Sequence, residues 1–283
     1  ECDIDSAGFA SCSSPKSYSS LAQGSHTFQV RSIDNNGNRS TAVSQTWIVD
    51  TTAPTLTINS NPTSLNNSTS ASFTFSATDS GGGSVASYAC KLDSASYASC
   101  SSPISYSSLA QGSHTFYVTA TDSAGNTSSA TTNTWTTDLT APAITISANP
   151  TAVTNTSSAN FTFSATDSGG GAVSSYQCSI DGAAYATCTS IKSYTGLTAG
   201  SHQFALLAID TAGNTSSAST YSWTIDTTAP TISITSTPSS PTNATTASFS
   251  FSATDSGGGA VASYACKIDA GSYASCTSPT SYS

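Results

Sequence analysis

Charge is what this chain has least of. Charged residues make up 7% of its 283 positions, against roughly a quarter in an ordinary soluble domain. There are 6 Lys and Arg against 15 Asp and Glu, a formal net charge of -9. Bases this few and scattered form no patch for a phosphate backbone, which argues against a nucleic-acid partner. No apolar run approaches ~18 residues, so the segment holds no membrane-spanning helix, and no signal peptide opens it. Methionine is absent, hence there is no initiator. No Gly-x-Ser-x-Gly elbow marks a nucleophile, and no stretch has a helical period.

What is present is repetition. Cysteines stand at 2, 12, 90, 100, 178, 188, 266 and 276, one pair of spacing ten every 88 residues. The same step carries Trp47 to Trp135 and Trp223, and His26 to His114 and His202. It also carries Asp34, Gly37 and Asn38 onto Asp122, Gly125 and Asn126, then onto Asp210, Gly213 and Asn214. A fixed self-similarity of this kind denotes an array. An active site is normally a unique constellation, and here nothing is unique, so no catalytic role is expected.

Each copy opens after Thr-Ala-Pro, ending at Pro54, Pro142 and Pro230, where proline suits a linker or an edge strand. Each closes on a Trp followed by Asp50, Asp138 or Asp226. The expected frame is therefore complete modules at 51–138 and 139–226, the back part of one at 1–50, and the front part of another at 227–283. Residues 1–19 duplicate 265–283, as arbitrary cuts through a longer parent chain would produce.

Between Cys90 and Cys100 the sequence reads strand, short turn, strand. Folding it about Ala95 sets Cys90 across from Cys100 and Leu92 across from Ala98. Disulfides Cys2 to Cys12, Cys90 to Cys100, Cys178 to Cys188 and Cys266 to Cys276 are expected, each adding about 3 kcal/mol through loop closure. Structural disulfides imply an oxidising, extracytoplasmic setting, extracellular or at the cell surface. A metal reading of these cysteines offers two ligands per copy where four are needed.

Strands are expected at 55–59, 71–78, 88–92, 97–101, 105–107, 114–122 and 132–137, all short and bounded by Gly, Pro, Asn or Ser. The fold class is thus all-β, a tandem array of Greek-key sandwiches. A β-solenoid would show a much shorter period. His114 shares strand parity with Phe116, Val118 and Ala120, which reads as a structural histidine, and Trp135 reads as a core anchor. Gly81, Gly82 and Gly83 lack the ending of a phosphate loop and read as a flexible connection.

The string Cys90-Lys-Leu-Asp, Cys100-Ser-Ser-Pro103, Tyr106, Leu109, Gly112-Ser-His114-Thr-Phe116, Asp122-x-Ala-Gly125-Asn126, Trp135, Asp138-x-Thr-Ala-Pro142 resembles the bacterial Ig-like repeats of large secreted and surface proteins. The resemblance spans essentially the whole chain. Asn35-Asn36 and Ile191 depart from it without affecting the fold. It implies a tandem Ig-like spacer of adhesins, fibres or cell-wall proteins, with no activity of its own.

The acids suggest more. In such a sandwich, the loop after the second strand and the loop before the last face the preceding linker. Asp138 is expected near Asp167, with Asp210 and Asn214 opposite. Asp50, Asp79, Asp122 and Asn126 are the corresponding set one repeat earlier, and Asp226 with Asp255 one repeat later. Converging carboxylates suit a hard cation such as Ca²⁺. Simple turn hydrogen bonds are the other reading of the same residues.

Two functions follow. One is an extracellular rod, stalk or filament segment whose partners are neighbouring modules, with lateral self-association into fibres. The other is a glycan- or host-binding adhesin module, or an accessory domain of a secreted enzyme. Tyr117 is the clearest outward aromatic, but Gln29 and Ala205 occupy the matching positions, which favours the rod.

Overall fold

The computed structural model describes residues 1–283 as two compact units, Glu1–Leu139 and Thr140–Ser283. All regular structure is β, so no helix is long and apolar enough to cross a membrane.

The first unit begins with β1 (Cys2–Ile4), β2 (Gly24–Val30) and β3 (Val43–Val49), which form one sheet in that order. Then follow β4 (Thr55–Ser60), β5 (Leu65–Asn66), β6 (Ala71–Thr78), β7 (Val85–Leu92), β8 (Ala98–Cys100), β9 (Ile104–Tyr106), β10 (Gly112–Asp122) and β11 (Thr131–Thr137). Strands β4, β6 and β9 make one sheet, and β5, β11, β10, β7 and β8 make the other, in those orders. The two-residue β5 pairs parallel to β11 and was not evident from the sequence.

Alternation explains why these sheets face each other. Along β10, His114, Phe116, Val118, Ala120 and Asp122 are buried while the residues between them are not. Phe73 and Phe75 of β6 meet that face, with Phe73 stacked on Phe116 at 4.1 Å and Trp135 closing the cluster. Each buried ring adds roughly 1.5–3 kcal/mol, and Phe116→Ala would cost about 3–5 kcal/mol.

The second unit repeats the plan with β12 (Ala143–Ala148), β13 (Val153–Thr154), β14 (Ala159–Thr166), β15 (Val173–Ile180), β16 (Ala186–Cys188), β17 (Lys192–Tyr194), β18 (Gly200–Asp210) and β19 (Ser219–Ile225). Phe161 stacks on Phe204 at 4.0 Å beside Trp223. It continues with β20 (Thr231–Ser236), β21 (Ala247–Thr254), β22 (Tyr264–Cys266), β23 (Ala274–Cys276) and β24 (Thr280–Tyr282).

All four disulfides are present, Cys2–Cys12, Cys90–Cys100, Cys178–Cys188 and Cys266–Cys276, each with a Cα separation of 5.8 Å. The hairpin register differs from the sequence expectation. Cys90 pairs with Ala98 and Cys100 with Tyr88, so the cysteines bridge a diagonal. The turn is centred on Ser94, one residue earlier than Ala95, because Asp93 adopts φ 51° and Ala95 donates its N–H to the Leu92 carbonyl at 3.0 Å. Right-handed strand twist brings that diagonal within bridging range.

Candidate functional site: a carboxylate joint

Asp50 ends the run of β3, and segment 51–54 leads directly into β4. Its carboxylate is held from three sides. Oδ2 accepts the backbone N–H of Gly83 at 2.9 Å, and Oδ1 accepts the backbone N–H of Thr52 at 2.9 Å and the side-chain Nε2–H of Gln23 at 3.1 Å. These donors, Thr52 first and Gln23 next, hold the Asp50 carboxyl below the usual range. The Gln23 amide also donates to the Gly81 carbonyl at 2.8 Å and accepts from Thr51 N–H at 2.7 Å. One side chain thereby ties β2's leading loop, the linker and the glycine loop together.

The glycines are there for room, and the loop they form is a cradle instead of a flexible connection. A methyl group on Gly81 would overlap the Asp50 carboxylate, and one on Gly83 would stand 2.6 Å from Oδ2. The same geometry recurs in the second unit. There Asp226 Oδ2 accepts from Gly259 N–H at 2.8 Å, Oδ1 accepts from Thr228 N–H at 2.9 Å, and methyl groups on Gly257 or Gly259 would again strike the carboxylate. Asp255 accepts from Gly257 N–H at 3.1 Å, as Asp79 does from Gly81 N–H at 3.3 Å.

Asp50, Asp79 and Asp122 place carboxylate oxygens within 4.8 Å of one another. Asp122 arrives because it continues the inward face of β10, past a register shift at Thr121. Burial pushes its carboxyl up, but the donors of Asn126, Ala124 and Gly125 outweigh that and leave it below the usual range. Asp79 Oδ2 is buried with no hydrogen-bond partner. Asn126 reaches the same acids from the loop after β10. It turns its amide nitrogen inward, donating to the Asp50 carbonyl at 3.0 Å and to Asp122 Oδ2 at 2.9 Å. Asn214 likewise donates to Asp210 Oδ2 at 2.9 Å, Asp167 accepts from Gly169 N–H at 3.2 Å, and Asp138 is fully buried with Gln111 Nε2 at 3.2 Å.

The histidines are structural, each with Nδ1 in hydrogen-bond contact with an Asp carboxylate. His114 Nδ1 lies 2.8 Å from Asp93 and Nε2 lies 3.0 Å from the Ala110 carbonyl, so the ring faces no serine hydroxyl at either nitrogen. Tyr117 does lie outward, but Lys91 sits 4.4 Å over its ring and 5.2 Å over that of Tyr97.

Residues 16–77 match the family model of the bacterial Ig-like domain (group 3), a span that crosses segment 51–54 and the Asp50 joint. Over that span the chain is similar to bacterial Ig-like domains. A search of curated proteins returned no match. Among solved structures, this chain is similar to the fibronectin(III)-like modules of Clostridium thermocellum CbhA. Identity there is 17% and the TM-score 0.35, over 60% of this chain and 94% of that one. It is also similar to three N-terminal domains of the bacteriophage RB49 highly immunogenic outer capsid protein (Hoc). Identity is 14% and the TM-score 0.34, over 71% of this chain and 69% of that one. Both are too distant to bear on function.

Proposed function

We propose that this chain is a non-catalytic spacer of an extracellular or cell-surface protein, with Ig-like repeats in series and stiff joints between them. The observation that carries this reading is the Asp50 carboxylate seated in its glycine cradle, repeated at Asp226. An enzyme of this composition would need a unique site. A spacer needs the same joint many times.

The linker acids supply that joint. A carboxylate held by backbone N–H groups forms charge-assisted bonds that fix the strand leaving one repeat against a loop of the next. Disulfides within hairpins suit the oxidising setting in which such spacers work. A hard cation such as Ca²⁺ fits the same place: Asp50, Asp79 and Asp122 would hold it, and the unpartnered Asp79 oxygen would gain a partner. When bound, the ion would supply charge neutralisation. The partners of this segment are its neighbouring repeats.

Small-angle scattering tests the reading. Repeats in series, each about 35–45 Å long, give a maximum dimension of about 100 Å or more. A compact chain of this length would give about 55–65 Å and would contradict the spacer.

A further inference from the structure

The joint has a titratable neighbour. His26, 7% exposed, places Nδ1 2.7 Å from Asp5 Oδ2 and Nε2 2.7 Å from the Ala22 carbonyl oxygen. A carbonyl oxygen and an ionised carboxylate both only accept, so this geometry needs a proton on each ring nitrogen. Asp5 is the charged group facing the ring, from the turn after β1. Trp47 faces it from β3 at 5.8 Å, and the Ala22 carbonyl faces it from the loop before β2. The Ala22 carbonyl belongs to the peptide unit that begins Gln23. Gln23 is the side chain that bridges Thr51, Asp50 and Gly81.

We propose that His26 makes the joint at Asp50 pH-sensitive: its doubly protonated ring fixes the Ala22 peptide and so holds Gln23 across the linker, and loss of one proton releases that strut. Once neutral, the ring keeps its proton on the side of Asp5, and its Nε2 lone pair faces the lone pairs of the Ala22 oxygen. That contact turns repulsive, and the loop carrying Gln23 is the side free to move. The Ala22 carbonyl and Asp5 together raise the ring's affinity for a proton above the usual range, which places the release on the alkaline side of ordinary imidazole titration. The inference rests on reading segment 51–54 as a clamped joint.

The third repeat is a built-in control. His202 makes the same two contacts, to Asp181 at 2.7 Å and to the Thr198 carbonyl at 2.8 Å. The next residue, however, is Ala199 where the first copy has Gln23 and the second has Gln111. Asp226 still sits on Gly259, but no strut links it to the histidine. The joint after Asp226 is therefore insensitive to the state of His202.

Amide hydrogen exchange on the whole chain, followed by NMR with a chelator present and corrected for intrinsic rates, tests this. Between about pH 5 and about pH 9, protection of Thr51 N–H should fall about tenfold as the His26 ring titrates, with Gly83 following and Gly259 unchanged. Gln23→Ala, an exposed substitution, should make Gly83 indifferent to pH. Two results would overturn the coupling: constant Thr51 protection while His26 titrates, or a His26 ring already neutral at the acid end. Poor protection of Gly83 at every pH would instead refute the clamped joint itself.

Discussion

The backbone N–H of Gly83 points at the carboxylate of Asp50, 33 residues earlier, with a separation of 2.9 Å. That contact joins the acid that follows β3 to the glycine run that precedes β7. It also explains why neither glycine flanking Gly82 tolerates a side chain.

Gly83→Ala should therefore loosen the joint. Its methyl would stand 2.6 Å from Asp50 Oδ2 and 3.0 Å from Asp79 Oδ2, so the carboxylate must leave the cradle. The expected cost is about 1–3 kcal/mol, the range for overpacking. It should be felt as new protease sensitivity within 51–54 and not as unfolding of the Phe73 and Phe116 core. Unchanged cleavage would show that the cradle does not constrain the linker.

Removal of one hairpin disulfide, as Cys90→Ala with Cys100→Ala, should lower stability by about 3 kcal/mol. Urea unfolding of the variant measures the loss, and non-reducing peptide mapping of the parent checks the pairing. A linkage such as Cys12 to Cys90 would contradict the hairpins.

Stability should be greatest in a window bounded by carboxylates below and histidines above. His26 and His202 are raised above 6.5 by the Ala22 and Thr198 carbonyls and then by Asp5 and Asp181. Burial pulls His114 down, but Asp93 and the Ala110 carbonyl more than offset it. Groups with raised values contribute fully below 6.5 and lose that contribution as pH rises through the folded value. Asp5, lowered chiefly by His26, contributes above 3.8 and loses it as pH falls through its folded value. Asp181 behaves alike, since His202 and the Gln203 N–H outweigh its burial. Denaturation midpoints should hold steady between these limits and decline on both sides. Replacing all three histidines by Gln should remove the alkaline decline, and its persistence would place the titration elsewhere.

Ca²⁺ should raise the unfolding temperature, and Asp79→Asn should abolish the gain while leaving Gly83 on Asp50. At a hundredfold excess over Kd the stabilisation is about 2.7 kcal/mol. Calorimetry showing no heat of binding and no shift on chelation would leave these acids as turn residues only.

Much of this was legible in the sequence because it is local or periodic. The alternation of Phe73 and Phe75, or of Phe116 and Val118, gives strands and their inward face directly. The step of 88 brings out the cysteines and the linker acids together. What escaped depended on partners distant in the chain or on one backbone torsion. The left-handed Asp93 set the hairpin register, and no pattern in the strands reveals it. Gly83 looks like loop filler until Asp50 is seen beside it, and Gln23 is an ordinary exposed amide until its loop is placed. The recurrence of both at 88 residues, with Ala199 as the exception, was the available signal.

The most direct test of the stiff joint is ¹⁵N relaxation of the intact chain, comparing amides in β2 and β3 with those in β6, β7 and β10. A clamped Asp50 joint predicts one shared anisotropic tumbling time for both groups, which Gly83→Ala should split into two. Independent tumbling of β2 and β3 in the parent chain would contradict the account.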